Sequence, residues 1–119
     1  MNYNQRAGKF GESLAKDYLI RRGYRIIGLN LKIGCKEVDI IARDRETLVF
    51  VEVKTRLSSQ YGLAEDAFEG RKFQHLKAAL EFYVYKNNCD ADLVRLDLVA
   101  IDVDKFKKIA KISHYKDII

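Results

Sequence analysis

Thr47-Leu-Val-Phe-Val-Glu-Val-Lys-Thr55 is the most apolar stretch of this 119-residue chain, and its second half carries two opposite charges. Its β-branched and aromatic residues predict a strand. Side chains alternate across a strand, so Val49, Val51 and Val53 share one face, and Leu48, Phe50, Glu52 and Lys54 share the other. A carboxylate and an ammonium then stand side by side among hydrophobic residues, where charge is costly unless paired or ligated. Glu52-Val-Lys54 is the only acidic-x-Lys triplet in the chain. Taken alone, these two residues also fit a plain structural ion pair, and that alternative stays open.

Working outward, Glu37 to Ala42 reads as the preceding strand, joined through the polar turn Arg43-Asp44-Arg45-Glu46. It holds Asp39 between Val38 and Ile40. The turn decides whether Asp39 meets Glu52. A four-residue loop, 44–47, sets Asp39 directly opposite Glu52, a two-residue loop is expected to set it diagonal, and an odd loop turns it to the other face. With even parity, two carboxylates on adjacent strands suit Mg²⁺ or Mn²⁺ as cofactor. Such an ion polarises a phosphate oxygen and lowers the pKa of bound water. A neighbouring ammonium orients that water and stabilises the charge that develops.

The remaining elements frame this hairpin. Residues 4–22 read as a helix closed by Gly23, with Ala7, Phe10, Gly11, Leu14, Ala15, Tyr18 and Leu19 on its buried half and Glu12 at the boundary of that half. A carboxylate there can reach a site between the helix and whatever it packs on. Tyr24 to Leu31 is the first strand. Arg56 to Gly70 is mostly loop with room for one helical turn. Arg71 to Lys86 is a second helix, and Leu93 to Val103 and Lys108 to Tyr115 are two last strands. The order α-β-β-β-α-β-β predicts a single α/β domain, a mixed sheet flanked by helices. On the second helix, Phe82, Tyr83 and Tyr85 either cover the sheet or form the surface of a homodimer.

Composition limits the function classes. The longest aliphatic runs fall far short of the ~20 residues a membrane span needs, and charges run through residues 1–23, where a secretory signal would need an apolar core. Cys35 and Cys89 have no ligand spacing, which predicts free thiols in a cytoplasmic protein. The net charge of +5, with five lysines between residues 105 and 116, suits a polyanionic partner such as nucleic acid, although a solvated basic face has the same composition. His75 and His114 stand without ligand partners and read as surface or packing residues. Asp97, alternating with apolar neighbours, reads as a hydrogen-bonded structural carboxylate.

Several stretches together resemble the YraN family of small bacterial proteins, regarded as endonucleases. They are Gly8-Lys-Phe-Gly-Glu12 with Ala15 and Tyr18-Leu19, Gly23-Tyr24, Asn30, Glu37-Val-Asp39-Ile-Ile-Ala42, Leu48 to Lys54 with Arg56, Tyr61-Gly62, Lys72, and Arg95-Leu-Asp97-Leu-Val99. The layout is similar to archaeal Holliday-junction resolvases and the wider PD-(D/E)xK superfamily. The resemblance implies a restriction-endonuclease-like fold, Asp39 and Glu52 as metal ligands, Lys54 as catalytic lysine, Glu12 as the extra acidic residue of the same site, and Arg56 and Lys72 as contacts to nucleic acid. Two departures stand out: Lys36 replaces a glycine of the family's Gly-Glu-Ile-Asp motif, and Val38 replaces the superfamily's proline. The Gln-x-x-x-Tyr signature of some exonucleases is absent, since Ala78 follows Gln74. The expected function is a metal-dependent DNA endonuclease, with a non-catalytic nucleic-acid-binding adaptor as the alternative.

Overall fold

A computed structural model describes residues 3–57 and 70–118, with side chains described from 6 to 57 and from 73 to 118. Its elements are α1 (Tyr3–Arg21), β1 (Arg25–Ile33), β2 (Lys36–Asp44), β3 (Thr47–Leu57), α2 (Gly70–Lys86), β4 (Val94–Asp104) and β5 (Ile109–Tyr115). This is the αβββαββ arrangement expected of a restriction-endonuclease-like domain. The stretch expected to be mostly loop begins as strand through Leu57, and its helical turn falls outside the described residues.

The five strands lie side by side in chain order. Every neighbouring pair is antiparallel except β3 and β4, which run parallel. A parallel pair needs a long crossover connection, and α2 lies in that connection. The two helices give the sheet two core layers. Ala15 and Leu19 of α1 pack with Tyr24, Ile40, Ala42, Val49, Val51, Val53, Val99 and Ile101. Leu76 and Leu80 of α2 pack with Val38, Ile41, Leu48, Phe50 and Leu96. A strand covered on both faces reads as a near-continuous apolar run, and β3 is buried from Leu48 through Val53.

Gly23 ends α1 with φ +91°. Its N–H donates to the Ile20 carbonyl (3.0 Å), and the Tyr24 N–H donates to the Leu19 carbonyl (2.9 Å). This is a Schellman closure, in which a residue without Cβ takes the left-handed position. It turns the chain directly into β1.

The buried stripe of α1 runs through Gly11, Ala15 and Leu19. Phe10 was expected on that half but is 51% exposed. The helix sits down on Gly11, and a residue one position away lies about 100° around the helix. On α2, Tyr83 packs edge-on against Phe50 at 5.2 Å between ring centroids, so that ring covers the sheet. Phe82 and Tyr85 face outward. Cys35 and Cys89 are both free thiols. No helix among the described residues is long and apolar enough to cross a membrane.

Candidate functional site

The β2–β3 hairpin turns on two residues, Arg45 and Glu46, with pairing from Asp44↔Thr47 to Ile40↔Val51. One further step of this register sets Asp39 opposite Glu52. The two-residue turn therefore produces the directly opposed arrangement and not the diagonal one expected for that length, because the first pair forms immediately beside the turn.

Backbone pairing gives way at Asp39. Its Oδ2 accepts the Val53 N–H at 2.8 Å, so a side chain takes the place of a backbone acceptor. Alternation also breaks there: Val38 and Ile41 lie in the α2 layer, while Ile40 lies in the α1 layer. The carboxylate is thus anchored to β3 at the seam where β2 departs. On the other side of β2, Leu29↔Ile40 and Leu31↔Val38 bracket Asn30, which stands opposite Asp39. Asn30, Asp39 and Glu52 form one transverse polar row across three strands.

Glu52 is 4% exposed within this row. Lys54, two residues further along the same face of β3, is exposed. Glu12 approaches from α1. Its carboxyl is held above its ordinary value, first by burial and then by the negative charge of Asp39; Glu37 adds to the rise, and Lys9 and a hydrogen bond with Asn30 oppose it. Asn30 has φ +51°, a conformation that asparagine tolerates better than most residues. A small open cavity of about 190 Å³ beside Glu12 is lined by Lys9, Ser13, Lys16, Leu29 and Asn30, which places two lysines around the acidic row.

Among the described residues, no group of three or more His, Cys, Asp or Glu side chains is gathered tightly enough to hold an ion alone. The donors are hard carboxylate oxygens, with Asp39 one register step from Glu52 and Glu12 feeling the charge of Asp39. This set fits Mg²⁺ or Mn²⁺, which keep several waters and take one or two protein carboxylates together with substrate phosphate. It offers nothing to a thiolate- or imidazole-seeking metal.

Arg56 is half-buried and makes two bonds to Asp102, 2.9 Å from Nε and 3.2 Å from Nη2. The Lys72 side chain lies outside the described residues. Residue-by-residue reading did not place Asn30 in the site; the available signal was a β-disfavoured residue between Leu29 and Leu31. It also missed His114, whose Nε2 lies 2.7 Å from the fully buried Asp97. His114 is therefore not a solitary histidine, and Asp97 is the hydrogen-bonded carboxylate expected of it.

The profile of the Uncharacterised protein family UPF0102 matches residues 11–101. A UPF0102 protein of Caldicellulosiruptor bescii is 42% identical over 98% of both chains. A UPF0102 protein of Dehalococcoides mccartyi is 40% identical over 88% of both. One from Flavobacterium psychrophilum is 41% identical over 92% of this chain and 90% of its own.

Proposed function

The chain belongs to the UPF0102 family, the YraN type that its motifs resemble, and we propose that it is a Mg²⁺- or Mn²⁺-dependent nuclease that hydrolyses phosphodiester bonds in DNA. The observation that carries this reading is the convergence of Asp39, anchored on Val53 N–H, with Glu12, whose carboxyl feels the charge of Asp39, one register step from buried Glu52. Negative charges crowded at a strand seam are unfavourable by themselves, and a divalent cation offsets the repulsion.

The bound ion would supply a polarised phosphate oxygen and an acidified water. Asp39 and Glu52 would hold it, with the Val53 N–H fixing the Asp39 carboxylate so that little reorganisation accompanies binding. The exposed Lys54 ammonium would meet the phosphate and balance its developing charge. Glu12, carrying a proton more readily than an ordinary glutamate, would exchange protons with the attacking water. Lys9 and Lys16 would take flanking phosphates. One chain has one such site and would cut one strand per encounter. Paired cuts would use a homodimer with two-fold symmetry, for which the outward Phe82 and Tyr85 supply apolar area.

The test is cleavage of duplex, flap, single-stranded and four-way-junction DNA with Mg²⁺ or Mn²⁺, comparing the parent with Asp39→Asn. Metal-dependent products lost in the variant support the nuclease. Tight DNA binding without products on any substrate identifies the non-catalytic adaptor, the reading favoured by the absence of a self-sufficient ligand cluster among the described residues.

A further inference from the structure

A second polar pocket, about 440 Å³, opens at the C-terminal end of α1 and is lined by Tyr18, Arg22, Tyr24, Asp44, His114 and Lys116. None of these residues belongs to the acidic row. Counting along α1, Arg22 lies roughly 15 Å from Glu12 at the rise of a helix.

Behind the pocket lies a buried chain of charges. Asp97 has no solvent exposure. It accepts two bonds from Arg95, at 2.9 and 3.0 Å, one from His114 Nε2 at 2.7 Å, and one from the Asp117 N–H at 3.0 Å. Arg95 also donates to the Tyr24 hydroxyl at 2.7 Å and contacts Asp44 at 3.5 Å. The far nitrogen of His114, Nδ1, lies 3.2 Å from the Tyr18 hydroxyl.

This chain fixes the direction of the hydroxyls that reach the pocket. Asp97 is ionised and can only accept, so His114 carries its proton on Nε2, and in the neutral ring Nδ1 accepts from Tyr18. A guanidinium can only donate, so the Tyr24 oxygen accepts from Arg95, and its own proton is left to point elsewhere. Burial, outweighing the pull of Arg95, raises the Tyr24 pKa and keeps that proton on. The Arg22 guanidinium lies over the Tyr18 ring at 5.0 Å from its centroid, which holds a planar, bidentate donor at the rim. Lys116 adds a second cation. Asp44 is the only acidic lining residue among those described, and its charge is shared with Arg95. A pocket presenting two cations and an oriented hydroxyl proton recognises an oxyanion.

We infer that this pocket binds a phosphate group of a nucleic-acid strand through Arg22, Lys116 and the Tyr24 hydroxyl. The identity of the ligand as nucleic acid rests on the proposed function. At 3.4 Å per strand step, ~15 Å corresponds to about four nucleotides from the acidic row. The phosphate is either an internal phosphodiester or a terminal monoester at that distance.

The experiment is done in EDTA, where nothing is cleaved, so a failed nuclease leaves its outcome unaffected. Inorganic phosphate is titrated while the ring signals of Tyr24 and His114 are followed by NMR. Labelled single strands of one sequence, bearing a 5′-phosphate or a 5′-hydroxyl, are then bound to the parent, to Arg22→Ala/Lys116→Ala and to Tyr24→Phe. Saturable shifts with phosphate are expected, together with weaker strand binding in the double variant at an unchanged Tm and a salt slope shallower by about 1.8 for two lost contacts. Tyr24→Phe, which keeps the ring, should lose part of the affinity. Loss confined to the 5′-phosphorylated strand identifies a terminal monoester, and equal loss on both identifies an internal phosphodiester. Absence of phosphate shifts, or a double variant that binds both strands as the parent does, overturns the inference.

Discussion

Gly11 on α1 faces Thr55 on β3 with no room between them for a methyl group: a Cβ built on Gly11 collides with the Thr55 hydroxyl. The contact seats the helix on the strand and presents the next residue, Glu12, to Asp39. It leaves the buried Thr55 hydroxyl without a hydrogen-bond partner among the described residues.

Gly11→Ala therefore sets two effects against each other. Alanine favours a helix interior by about 1 kcal/mol over glycine, while overpacking costs about 1–3 kcal/mol. The collision is with Cβ and Oγ1 of a strand residue, so net destabilisation in urea unfolding is expected, with partial rescue by Thr55→Ala. A Gly11→Ala protein more stable than the parent would show that the helix is not seated on this contact.

Glu12→Gln should raise thermal stability near pH 7 in the absence of divalent metal. The Glu12 carboxyl is raised above 4.5 by burial and by Asp39. Its charged form is thus disfavoured in the folded state, and stability falls as pH climbs from 4.5 through the raised value. Below pH 4 parent and variant should melt alike. Melting curves across pH check this, and a variant less stable at pH 7 without metal would contradict it.

Asp39→Asn should abolish stabilisation by Mn²⁺. For the parent, metal at ten times its Kd adds about 1.4 kcal/mol through mass action. The amide keeps the shape of the side chain and a weaker acceptor for Val53 N–H, but removes an anionic ligand. Differential scanning calorimetry with and without Mn²⁺ reads the difference, and an equal metal response in both proteins removes Asp39 from the ligand set.

Lys54→Ala should separate cleavage from binding. An exposed lysine making one phosphate contact accounts for about 0.9 of the log–log salt slope, so DNA affinity should fall only slightly. Loss of one charge-stabilising donor costs roughly 10²–10³ in rate. Single-turnover cleavage and binding isotherms at several salt concentrations test this; parallel losses in both would reduce Lys54 to a binding contact.

Asp97→Asn should destabilise the protein by about 3 kcal/mol or more, because it leaves the Arg95 charge without its buried partner. Burial alone would raise the Asp97 pKa, but bonds from His114, Arg95 and Asp117 N–H outweigh it and hold the carboxyl below its ordinary 3.8. The stabilisation is present above that value and is lost as pH falls through the lowered one. Acid unfolding of the parent should show this loss, and the variant should lack it.

The sequence pattern resolves the order of elements and the charged face of β3 because alternation is local. Register is not local: Asp39 meets Glu52 only because pairing begins at Asp44↔Thr47, beside the turn. His114 was opaque for the same reason, since its acceptor lies on β4 and only the β4–β5 register brings the two together. The exposure of Phe10 follows from how deeply Gly11 seats the helix, which a helical wheel does not encode. Arg56 has the composition of a phosphate contact, yet its fork closes on Asp102 across the parallel pair.

That parallel pair has a kinetic consequence. Asp39 and Val53 are 14 residues apart, whereas Arg56 and Asp102, matched across β3 and β4, are 46 apart. Short-range contacts form ahead of long-range ones during folding. The two acidic strand residues thus meet while one flank of β3 still faces solvent, and their mutual repulsion opposes an early step of assembly. A divalent cation present during refolding should accelerate that step, giving the ion a part in how quickly the chain reaches its native state.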